Sequence, residues 1–94
     1  MKALIRAMEK NTYVKAIYFK DISYTQKSWY MFIKFIGLSN SLQKISLEDM
    51  RIGDKAIITL SEAFKTNTCL HEVCLYNNNI GDKGMIALSE AFKV

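Results

Sequence analysis

The chain is predicted to be an α/β protein: a right-handed α/β solenoid with short parallel strands on a concave side and helices on a convex side. Three observations predict this. First, residues 80–93 (IGDKGMIALSEAFK) restate residues 52–65 (IGDKAIITLSEAFK) at an offset of 28, with eleven of fourteen positions identical. Second, the same offset aligns apolar columns along the rest of the sequence: Val14, Leu42 and Leu70; Ile17, Ile45 and Val73; Phe19, Leu47 and Leu75. Third, apolar spacing alternates between a strand-like period of two and a helix-like period of 3.6. Strands separated by helices pair in parallel, and such crossovers are right-handed almost without exception.

The elements follow in order. Residues 1–13 match only the helical half of a unit, giving a partial unit with a helix near 1–11. Full units then cover 14–41, 42–69 and 70–94, and together these make one domain of 94 residues. Strands are expected near 16–20, 44–48 and 72–76, and helices near 26–38, 54–66 and 82–93. The helical columns are Met1/Trp29/Ile57/Met85, Leu4/Phe32/Leu60/Leu88 and Met8/Ile36/Phe64/Phe92. Within a unit they stand at i, i+3 and i+7, one face of a helix. Asp54 and Asp82 follow Gly53 and Gly81 and are expected to cap their own helices, where a negative charge suits the dipole. Glu62–Lys65 and Glu90–Lys93 are i,i+3 pairs on the wet face.

The third unit reads Leu70-x-x-Val73-x-Leu75-x-x-Asn78-x-Ile80. With its strand-then-helix pattern, the chain resembles the ribonuclease-inhibitor-like class of leucine-rich repeat proteins. That class includes ribonuclease inhibitors, the sensor arrays of nucleotide-binding innate-immune receptors, Ran GTPase-activating proteins and the tropomodulin C-terminal domain. The likeness is strongest over 42–94. The first full unit departs from it, with Tyr24-Thr25-Gln26 where the others have Ile-Gly-Asp. The turn asparagine is present as Asn78 but is Ile22 and Met50 in the other units. An apolar side chain cannot satisfy turn backbone, so those turns need water or another partner.

Composition narrows the classes of function. Half of the residues are apolar and there is no proline, which excludes a disordered or collagen-like chain. The net charge of +4 comes from scattered lysines without a basic run, so neither nucleic acid nor a membrane surface is expected as a partner. The longest apolar stretch, 29–38, is too short to span a bilayer and contains Lys34. With two cysteines and no secretory leader, the chain is expected to be cytoplasmic with reduced thiols.

Catalytic and cofactor readings find little support. Cys69-x-His71-x-x-Cys74 superficially resembles a metal cluster, but it offers three ligands that project from different sides of a strand. Five extended residues span about 16 Å, too far for a Cys69–Cys74 disulfide. Glu48 and Asp49 are neighbours that point apart. Gly81-Asp82-Lys83-Gly84 places an acidic residue where a phosphate would lie. No enzyme activity, metal or cofactor is expected.

Binding remains. The resemblance implies that residues between the inward-facing strand positions form a concave recognition surface. Here these are Ala16, Tyr18, Lys20 and Asp21; Lys44, Ser46, Glu48 and Asp49; and Glu72, Cys74, Tyr76 and Asn77. The expected function is a non-catalytic module that binds another protein there. The alternatives are a small-GTPase regulator resembling Ran GTPase-activating proteins and a truncated piece of a longer array. Two further features stand out. The segment 29–36 (WYMFIKFI) carries surplus Tyr30, Met31, Ile33 and Phe35, which either fill gaps between helices or recruit a partner. Neither end has a polar cap, so self-association through the ends is expected.

Overall fold

The computed structural model describes residues 2–9 and 13–92, with the side chains of Met8 and Glu9 excepted. Helices and strands alternate along the chain: α1 (Lys2–Glu9), β1 (Ala16–Lys20), α2 (Gln26–Leu38), β2 (Lys44–Glu48), α3 (Gly53–Thr66), β3 (Glu72–Cys74) and α4 (Asp82–Ala91). The strands form one open parallel sheet in the order β1-β2-β3. Each helix packs against the next, α1 on α2, α2 on α3 and α3 on α4.

Strand register follows the sequence offset. Ala16 pairs with Lys44 and Lys44 with Glu72; Tyr18 pairs with Ser46 and Ser46 with Cys74. Every pair is 28 residues apart, so the alignment of columns in the sequence is an alignment of neighbours in space. Because side chains alternate across a strand, Ile17, Phe19, Ile45 and Leu47 enter the core while Tyr18 and Lys20 face solvent. The helices bring Trp29, Phe32, Ile36, Ile57, Leu60 and Phe64 onto the same side. Phe19, Phe32 and Trp29 form a chain of tilted ring contacts with centroids 5.4 and 5.7 Å apart.

Turns are held by side chains reaching between units. Asn78 is buried; its Oδ1 accepts from the Met50 N–H (2.8 Å), and its Nδ2 donates to the carbonyls of Leu47 (2.6 Å) and Tyr76 (3.1 Å). One amide thus supplies what Met50 itself cannot. At the opposite end of the sheet Asn67, also buried, donates to the carbonyls of Ile36 and Ser39 and accepts from the N–H groups of Cys69 and Leu70. Ser39, one offset earlier, accepts from Ser41 and Leu42 in the same way.

Several expectations need correction. β3 ends at Cys74 rather than at residue 76. Among the described residues it has a ladder partner on one side only, and beyond Cys74 the chain is held by the Asp49 N–H donating to the Tyr76 carbonyl and by Asn78 donating to Leu47. α1 runs Lys2–Glu9, with residues 1, 10 and 11 of the expected span outside the described ones. Within α1, Leu4 is exposed and Ile5 is fully buried, so the core-facing column is displaced by one residue. Among the described elements α1 packs on α2 alone, which leaves its rotation less constrained than that of α2 or α3. Met1 and the side chain of Met8 lie outside the described residues, as does Lys93 of the Glu90–Lys93 pair.

The helix caps also differ. Asp54 does not cap α3; its Oδ1 accepts from the Gly81 N–H, one unit on. Asp82 makes no cap bond on α4. α2, which has no acidic residue in its first turn, carries the complete capping box: Thr25 Oγ1 accepts from the Ser28 N–H (3.1 Å) and Ser28 Oγ from the Thr25 N–H (2.9 Å). Glu62 and Lys65 form their expected pair at 3.3 Å.

Candidate functional site

Among the described residues, no helix covers the sheet face that carries the outward strand positions. Its rows are read across the strands: Ala16, Lys44 and Glu72; then Tyr18, Ser46 and Cys74; then Lys20 and Glu48. The alternating burial of β1 and β2 turns these residues outward together. Asp21, Asp49, Tyr76 and Asn77 lie just past the strands, so the twelve residues expected to form a surface fall along the strands or just beyond them. They do so on two structures, strand and turn.

The strand rows are electrostatically connected. Lys44 Nζ lies 2.6 Å from Glu72 Oε2 and 5.2 Å from the centre of the Tyr18 ring. The bond from Lys44 holds the Glu72 carboxyl below its ordinary value. That bond, with a smaller effect of the neighbouring Tyr18, raises the Lys44 ammonium above its own. Lys44 is thereby committed to its neighbours. Lys20 and Glu48 are register partners, but among the described residues neither is in an ion pair. The free charges of the face are therefore Lys20 and Glu48, flanked by the exposed rings of Tyr18 (64 %) and Tyr76 (66 %).

The turn residues are shaped by backbone conformation. Asp21 (φ 52°), Asp49 (φ 53°) and Asn77 (φ 58°) all adopt the left-handed region, which Asn and Asp tolerate best among residues with a side chain. They stand 28 residues apart, and Asn77 Nδ2 donates to Asp49 Oδ1. The Asp49 carboxylate is thus held within the turn.

The Cys–His group is dispersed. Cys69 is half-buried with its Sγ donating to the Asn40 carbonyl (3.0 Å); His71 and Cys74 are exposed. No group of three or more His, Cys, Asp or Glu able to hold a metal occurs among the described residues.

Neither a protein-family model nor a curated protein matches the chain. No described helix is long and apolar enough to cross a membrane.

A second surface lies on the helix side. Trp29 is buried and its Nε1 donates to the Ala56 carbonyl (3.3 Å), tying α2 to α3. Met31, Ile33 and Phe35 are half-buried and pack on the core, so most of the surplus in 29–36 fills space between helices. Tyr30 stays exposed. With Tyr24, Trp29 and Ile33 it lines a groove of about 500 Å³ between α2 and α3. Tyr24 stacks on Trp29 with centroids 4.8 Å apart, and burial pushes its hydroxyl above the usual value. Sequence reading missed Tyr24 as part of this surface. The signal was its column, which it shares with Ile52 and Ile80.

Proposed function

We propose that the chain is a non-catalytic leucine-rich-repeat module that binds another protein on the concave, strand-bearing face of a short solenoid. The observation that carries this reading is the 28-residue register of the parallel strands. It sets Tyr18, Lys20, Ser46 and Glu48 side by side on a face that no helix covers. The two exposed tyrosines supply area with few rotors to freeze and a polar tip. Lys20 and Glu48 supply opposite charges for orientation, the usual role of polar groups at a rim. The pair Lys44–Glu72 ties β2 to β3 in the first row of the face.

The test is affinity capture from the source cell, followed by binding measurements on what is captured. Tyr18→Ala, Tyr76→Ala and the reversals Lys20→Glu and Glu48→Lys should each weaken a true partner, by about tenfold or more for the tyrosines. Lys34→Glu on the helix side should leave it unchanged. A partner that ignores all four sheet-face variants would overturn this reading.

A further inference from the structure

The units differ in what they place between neighbouring helices. Along α3 and the turn before it stand Ile52, Asp54, Ile58, Ser61 and Glu62; 28 residues earlier the chain has Tyr24, Gln26, Tyr30, Ile33 and Lys34. Between α3 and α4 the Asp54 carboxylate reaches across and accepts from the Gly81 N–H. Between α2 and α3 its counterpart is Gln26, and the Gly53 N–H is taken by the Asn78 carbonyl instead. Gln26 lines the groove of about 500 Å³ at this place, together with Ile33, Ile52 and Ala56. The aromatic wall is fixed in advance. Trp29 donates to the Ala56 carbonyl, Tyr24 stacks on Trp29, and the Tyr24 hydroxyl donates to the Arg51 carbonyl (3.3 Å). A wall already ordered loses little further freedom when a ligand lands on it. The groove lies within the helix layer, with α1 packed on one side of the α2–α3 pair and α4 on the other, so neither end of the chain creates it.

Cations border this groove. Lys55 lines it, and exposed Lys34 stands one turn beyond Tyr30 on the outer side of α2. α2 carries Lys27 and Lys34 and no acidic residue. Lys27 lies beside Lys2, and that crowding of like charge, with Arg6, holds the Lys2 ammonium below its ordinary value. The two carboxylates of α3 are engaged elsewhere, Asp54 with Gly81 and Glu62 with Lys65. We propose that the groove between α2 and α3 binds an acidic segment of a partner protein that carries one large apolar side chain. The apolar side chain lies between Tyr30 and Ile33 on one wall and Ala56 and Thr59 on the other, and flanking carboxylates meet Lys55 and Lys34. A stacking nucleobase fits less well, because the Trp29 ring is buried and already in contact with Tyr24 and Phe32. The site is separate from the sheet face and does not rest on it.

Trp29 is the single tryptophan of the chain, so its indole N–H signal in NMR reports on the groove. The whole chain is titrated at low salt with short peptides of glutamates around a central leucine or phenylalanine. At least one of the two should move the Trp29 signal saturably, and a central alanine should weaken that binding. Lys55→Glu and Lys34→Glu, both at exposed positions, should each weaken it by about fivefold or more with the helical circular-dichroism signal intact. The double variant Lys34→Glu/Lys55→Glu should bind the matching peptide of lysines instead, and Tyr18→Ala on the sheet face should change nothing. Absence of a saturable shift with both glutamate peptides would overturn the proposal. So would equal binding of the central-alanine peptide, which would reduce the site to bare charge attraction, or tighter binding of oligouridylate or of phosphatidylserine vesicles.

Discussion

Asn78, like Asn67, is a buried asparagine on which several turn backbone groups depend. It is buried, and its amide serves three backbone groups on two units. Asn78→Ala removes these bonds and leaves buried partners without them, so a loss of about 2–4 kcal/mol is expected in urea unfolding. Asn78→Asp should be nearly as costly, because a carboxylate cannot donate to Leu47 and Tyr76. The Lys44–Glu72 pair permits a different measurement. Glu72 titrates below its ordinary value because Lys44 bonds its charged form. Its contribution to stability is therefore present above the unfolded value and lost as pH falls through the lower folded one. In Lys44→Met, NMR titration should find the Glu72 midpoint moved up toward that of a free glutamate. The role of Asn78 was half legible in the sequence. Its position announced a turn asparagine, but not that it serves the preceding unit's Met50. Which backbone groups a side chain reaches depends on stacking, which one unit's sequence does not contain.

Among the elements, strands β1 and β2 and helix α2 fall where periodicity placed them, because burial on one face leaves a strong pattern. Caps were read less well. A glycine-aspartate pair before an apolar run looks like a helix start, yet Asp54 bonds across to Gly81 and not to its own helix. The real capping box, Thr25 with Ser28, was hidden because Ser stands where Glu or Gln usually marks the motif. Thr25→Ala should cost about 1 kcal/mol in chemical unfolding, while Asp82→Ala, which breaks no cap bond, should cost well under that. The displaced column of α1 has a similar origin. Periodicity fixes which residues share a face, but a helix that packs on one neighbour can rotate by a residue, and Ile5 takes the place expected for Leu4.

For the whole molecule, the informative contrast is between duplicated residues. Leu60→Ala empties a fully buried site and should cost about 2–5 kcal/mol. Leu88→Ala, at the matching and only half-buried position, should cost less than half as much. Equal losses would mean that Leu88 is packed in solution. The sequence announced both leucines as equivalent core residues. They differ only in what lies beyond them, which is a property of neighbours and not of the residue.

The 28-residue register sets how this chain tolerates changes of length. Loss of one residue between β2 and β3 would leave two outcomes. Either the turn absorbs the change, or β3 slips by one position, turning Val73 out of the core and bringing Glu72 or Cys74 in. In the slipped case Lys44 would lose Glu72 as its register partner. Gain or loss of a whole unit does neither: each row is simply longer or shorter by one rung. A change of 28 residues keeps the pairing rows in step, whereas a change of one residue does not.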